Sequence, residues 1–157
     1  MDLKHIGSAV VWVDFFTIAL HKFFDFGKSL DKWYARFGIV AVISDCLVIV
    51  LGILLAQFFV PTASVGFLAL VSIGIQIVHD YLFYLLVILG VPRGQNSMID
   101  LFKEYATENS WKILMADSIM IGSTVILADW MTDLREDIVT FAGLLGVYAL
   151  TYIIYTK

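Results

Sequence analysis

Residues 65–91, VGFLALVSIGIQIVHDYLFYLLVILGV, decide the fold. The run is apolar for longer than the ~20 residues that a helix needs to cross a bilayer, and it carries an ionisable pair, His79-Asp80, near its middle. A charge at that depth costs roughly 3 kcal/mol even on lenient insertion scales, so such a residue calls for a named partner inside the membrane. The rest of the chain reads as a search for that partner.

The whole sequence supports the membrane reading. Of its 157 residues 61% are hydrophobic and only 15% are charged, and the apolar residues gather into long runs from which charges are excluded. A bilayer demands that pattern, whereas a soluble core does not. No secretory signal peptide is visible in MDLKHIGSAVVWVDFF, which lacks a basic segment leading into an uninterrupted apolar core. Cys46 is alone in the chain and lies in a membrane run, so neither an intramolecular disulfide nor a cysteine metal cluster can form. A net charge of -4 with mixed signs offers no broad basic face for nucleic acid.

Outward from the central stretch, the periodicity predicts an all-α integral membrane four-helix bundle over residues 34–157, with spans at about 34–60, 63–90, 111–130 and 138–155. Trp33, Tyr34, Trp111 and Trp130 mark interfaces, and Pro61 ends the first span. Asp31 is the expected cap of the first span, and Thr132 or Asp133 that of the fourth. Within residues 1–33, the segment 8–28 carries Asp14, Thr17, His21, Asp25 and Lys28 at three- and four-residue steps. That polar stripe predicts an amphipathic helix lying in the headgroup plane. Ser97 followed by Asp100 predicts a capping box and a second surface helix in the polar loop. With that topology both termini share a side with most of the Lys and Arg residues, so the positive-inside rule puts both in the cytoplasm.

Three acids then fall at similar depth. At about 1.5 Å per residue, Asp45 lies ~15 Å from the cytoplasmic end of its span, Asp80 ~15 Å and Asp117 ~10 Å, with Tyr148 near the same level and His79 beside Asp80. Ser44, Gln76, Ser118 and Thr124 supply polar support, and Ala142, Gly143, Gly146 and Ala149 suit a close helix contact. Asp45–Ala56, DCLVIVLGILLA, and Asp117–Ala128, DSIMIGSTVILA, also match as a candidate internal repeat of two hairpins. Three ionised acids with one histidine would repel one another in a low dielectric, which favours a shared proton or a cation. The layer is thus either interhelical glue or a proton- or cation-binding site. No zinc-protease motif, phosphate loop or nucleophile–base pair is present to indicate an enzyme, and nothing calls for a cofactor; metal binding stays open.

The loop VPRGQNSMIDLFKEYA at residues 91–106, with Trp33-Tyr34, Phe37-Gly38, His79-Asp80 and Ala116-Asp117-Ser118, resembles a small multi-pass membrane protein of large DNA viruses of algae and amoebae. The resemblance covers residues 30–128 and brings no catalytic assignment. It implies a structural protein of a virion internal membrane, contacting capsid-associated or other membrane proteins on its cytoplasmic face and open to homo-oligomerisation. The alternative is a small proton- or cation-coupled transporter or channel using Asp45, Asp80, Asp117 and His79.

Overall fold

The computed structural model describes residues 1–24, 28–109 and 111–156, and these form seven α-helices without a strand. They are α1 (Leu3–Phe24), α2 (Lys28–Phe37), α3 (Ile39–Phe59), α4 (Val65–Phe83), α5 (Ser97–Asn109), α6 (Trp111–Met131) and α7 (Glu136–Ile153). The α4 helix continues in π geometry through Tyr84–Ile88. Five of the seven, α1, α3, α4 with its π extension, α6 and α7, are long and apolar enough to cross a membrane.

The five-span count differs from the four expected, and the difference is α1. Instead of lying apart on a surface, α1 is wrapped by α3, α6 and α7. Ile6, Ala9, Asp14 and Ile18 are fully buried, and His21 nearly so. At 22 residues it reaches ~33 Å, enough for a hydrocarbon core of ~30 Å. Of the predicted stripe, Asp14 faces Cys46, Thr17 Oγ1 donates to the Val13 carbonyl of its own helix (2.9 Å), His21 Nε2 lies 2.9 Å from Asp31 Oδ1, and Lys28 opens α2. Beside the stripe, Ser8 Oγ donates to the Val139 carbonyl (3.0 Å) and Trp12 Nε1 to the Ala142 carbonyl (3.0 Å). Asp25, also in the predicted stripe, lies outside the described residues.

Contacts along the helices fix their directions. Lys4 pairs with Glu136 (2.7 Å) and Lys22 donates to the Thr156 carbonyl, so α1 and α7 run parallel. Gln57 Nε2 donates to the Met1 carbonyl (3.0 Å), and Cys46 faces Asp14, so α3 runs against α1. Met1 and Thr156 therefore sit at opposite ends of the bundle, not at the same end as expected.

The tightest seam joins α1 to α7. A Cβ at Gly143 would stand 2.5 Å from Ser8 Oγ, and one at Gly146 would stand 2.7 Å from Val11 Cγ2. Only glycine lets the backbones approach so closely. Val139, Gly143, Gly146 and Leu150 form the stripe that meets α1, at helical steps of three and four. Although α6 and α7 are joined by a tight turn, they barely touch, because α1 packs against both. The two candidate repeat hairpins are accordingly packed differently, since α3 and α4 lie directly together.

The first span begins later than expected. Gly38, at φ 51°, breaks the helix and separates α2 from α3. Asp31 is thus no cap of a span but a first-turn residue of α2. The predicted capping box at Ser97 is replaced by Asn96, whose Oδ1 accepts from Met98 N (2.9 Å) and Ile99 N (3.2 Å), while Asp100 Oδ2 accepts from Gly94 N (2.9 Å). The expected cap at Thr132 or Asp133 is likewise absent, for Arg135 holds the N-cap position of α7 without a side-chain bond.

Helices α2 and α5 pack together at the end of the bundle where α3 and α6 begin. Lys32 Nζ meets Glu104 Oε2 at 2.7 Å, and Glu108 accepts from Lys28 N (3.0 Å) and Ser29 N (2.9 Å), capping α2 from a neighbouring helix. Trp33 packs on Phe102 with ring centroids 4.8 Å apart. Together α2 and α5 form a cap.

Candidate functional site

Beneath that cap lie the acids of the long apolar helices. Asp45 Oδ2, on α3, accepts from Trp33 Nε1 (3.1 Å) and from the Tyr34 hydroxyl (3.3 Å), both on α2. Trp33 and Tyr34 are each only 5% exposed, so the aromatic residues expected at an interface instead turn inward to a carboxylate. Asp80 Oδ1, on α4, accepts from Gln76 Nε2 (2.8 Å) and lies 3.1 Å from His79 Nδ1. Asp117, on α6, lies in the electrostatic reach of both Asp80 and Asp45.

A fourth acid joins them from α1. Asp14 is fully buried, feels the charge of Asp45, and lies 3.8 Å from Cys46 Sγ through Oδ2. Asp14, Asp45, Asp117 and Asp80, on four helices, thus neighbour one another electrostatically as a row, with Tyr34 and Tyr105 of the cap helices within reach of its charges. Burial, then the acids around them, hold both tyrosines above the ordinary phenol range. Each therefore keeps its hydroxyl proton at neutral pH.

Other expected members of the layer are elsewhere. Tyr148 is 60% exposed and lies against Tyr152 with its ring tilted, because α7 turns the opposite stripe to α1. Ser44 is exposed. Ser118 donates to the Leu114 carbonyl (2.6 Å) and Thr124 to the Met120 carbonyl (2.8 Å), so each serves its own helix and no acid. His79 is half-exposed on the flank, stacked near Phe83. Of the supporting set only Gln76 holds a carboxylate.

The bonds in this layer do little to join spans. Asp80 is held by residues of its own helix, and Asp45 by α2, which does not cross the bundle. Oxygens of Asp14 and Asp80 are buried without a hydrogen-bond partner among the described residues, as is Ser72 Oγ. Such groups cost about 1–3 kcal/mol each when left unpaired. Among the described residues no three His, Cys, Asp or Glu side chains converge closely enough to hold a metal ion.

Asp14 was legible as an acid in a long apolar run, but its stripe partners made a surface helix the simpler reading. Trp33, Tyr34 and Tyr105 carried no such signal. No family model, curated protein or solved structure matches the chain. The viral resemblance rests on its quoted residues alone.

Proposed function

We propose that this chain is a five-span membrane protein whose working part is the Asp14–Asp45–Asp117–Asp80 row, and that the row carries protons. One observation supports this above the others: acids from four separate helices lie within electrostatic reach of one another in succession, while oxygens of Asp14 and Asp80 lack hydrogen-bond partners among the described residues. A proton needs only neighbouring carboxyls, whereas a hard cation needs several oxygens converging on one point. The half-exposed His79 beside Asp80 gives the row a titratable end on the α4 flank.

The charge distribution supports an orientation. Lys22, Lys28, Lys32, Arg36, Arg93, Lys103 and Lys112 lie toward the cap end, against Lys4 and Arg135 at the other. Under the positive-inside rule the cap and C-terminus face the cytoplasm and the N-terminus faces away. A second reading, a structural protein of a viral internal membrane, draws on the sequence resemblance and on the exposed mixed-charge residues of the cap, which suit a protein partner.

Proteoliposomes with a trapped pH dye separate these readings. Under an imposed potential the wild-type protein is expected to acidify or alkalinise the lumen, and Asp80→Asn and Asp14→Asn to reduce that rate at least roughly tenfold while retaining the fold. Absence of flux from folded wild-type protein sinks the transport reading and leaves the structural one.

A further inference from the structure

The cap carries a groove of about 400 Å³, lined in part by Lys28, Lys32, Arg93, Glu104 and Glu108. Its two acids are already occupied. Glu104 is paired with Lys32 at 2.7 Å, and both oxygens of Glu108 accept backbone N–H groups at the start of α2. Lys28 and Arg93 are left, with no carboxylate among the described residues within ion-pair distance of their side chains. The charged residues of the lining thus carry a formal excess of one positive charge, with Lys28 and Arg93 outside any ion pair among the described residues.

Its position narrows the occupant. Arg93 follows the end of α4 and its π extension, Lys28 opens α2, and the exposed Trp111 opens α6 nearby in the fold, so the groove lies at the level where spans leave hydrocarbon. The anion present there at high local concentration is a lipid phosphate, and Arg93 offers the planar fork that phosphate oxygens match, with Lys28 as a point charge. We propose that this groove binds the headgroup phosphate of an anionic lipid, bridging α2 to the α4–α5 connection and fastening the cap over Asp45. The site is independent of the proton-carrying reading.

Phosphatidylglycerol titrated into phosphatidylcholine nanodiscs holding the full chain tests it, with retained lipid counted by native mass spectrometry and the melting temperature followed in parallel. Wild-type protein is expected to retain phosphatidylglycerol and to melt higher. Lys28→Gln combined with Arg93→Gln weakens retention roughly tenfold, Arg93→Lys has an intermediate effect, and Lys112→Gln, outside the groove, has none. Equal retention by wild type and the double variant overturns the proposal. So does a melting shift that inorganic phosphate reproduces in full without phosphatidylglycerol, which would mark a free-anion site.

Discussion

The α1–α7 seam and the α2–α5 clasp are both contacts between helices distant in sequence, yet they are made of opposite materials. In the seam, glycines bring two backbones together and side chains donate to main-chain carbonyls of the facing helix. In the clasp, carboxylates meet an ammonium and the N–H groups of a helix start. Lipid explains the difference. Between spans there is no water to expel, so close packing and satisfied polar groups drive association. At the membrane surface water screens charges, so an ionic contact is weak and adjustable. The seam should therefore fail through shape and the clasp through pH.

The largest effect is expected where shape is tightest. In Gly146→Leu the new side chain would enter space held by Val11 and Trp12, whose Cγ2 and Nε1 stand 2.7 and 3.2 Å from the position of a Cβ. Overpacking at such a point costs about 3 kcal/mol, the upper part of its usual range. Thermal denaturation in detergent should show this loss, accompanied by faster proteolysis of α1. The exposed Gly74, which has nothing within 4 Å of a Cβ, supplies the control: Gly74→Leu should leave the melting temperature nearly unchanged. Equal melting of the two variants would show that the seam is not what holds α1 in place.

A smaller effect is expected where the cap meets the acid row. Trp33→Phe removes the indole N–H that donates to Asp45 at 3.1 Å and leaves only the longer Tyr34 bond at 3.3 Å. Loss of one partner from a buried acceptor costs roughly 2 kcal/mol. The ring contact with Phe102 is largely kept, so α2 should stay folded while its amides exchange faster. Unchanged exchange in α2 would mean that the cap is held by its clasp alone.

The same contrast explains how much of this fold could be read from the sequence. The runs that became α3, α4, α6 and α7 were legible because hydrocarbon tolerates no charge except at a price in free energy, and the polar loop with Ser97 marked the start of α5. The α1 helix was not, because a polar stripe on an apolar helix has two solutions: water on one side, or the polar interior of a bundle. Asp14 and His21 chose the interior, where Cys46 and Asp45 face Asp14, while His21 reaches the exposed Asp31 of α2. Nothing local distinguishes the two, since the deciding partners lie on other helices. Depth alone singled out Asp45, Asp80 and Asp117 in the sequence. Tyr148 misled because depth says nothing of rotation, and the glycines of α7 fixed that rotation by facing α1.

The smallest effect belongs to the clasp and depends on pH. The Lys32 ammonium holds Glu104 below the ordinary glutamate range, and the Ser29 hydroxyl, with the backbone N–H groups of Ser29 and Lys28, does the same for Glu108. A carboxylate with a depressed folded-state pKa contributes stability above its unfolded value, near 4.3, and loses it as pH falls through the lower folded value. The clasp should thus be intact at neutral pH and loosen only in strong acid. Hydrogen exchange at the Ser29 amide, corrected for the intrinsic rate, reads this directly. Its protection is expected to fall below about pH 4 in the wild-type protein. In Glu108→Gln, which keeps an acceptor and has no charge to lose, protection at neutral pH should be lower and its acid dependence largely gone. Should protection in the wild type stay level to pH 2, the carboxylate would not be what caps α2, and the contrast between an ionic clasp and an apolar seam would lose one of its sides.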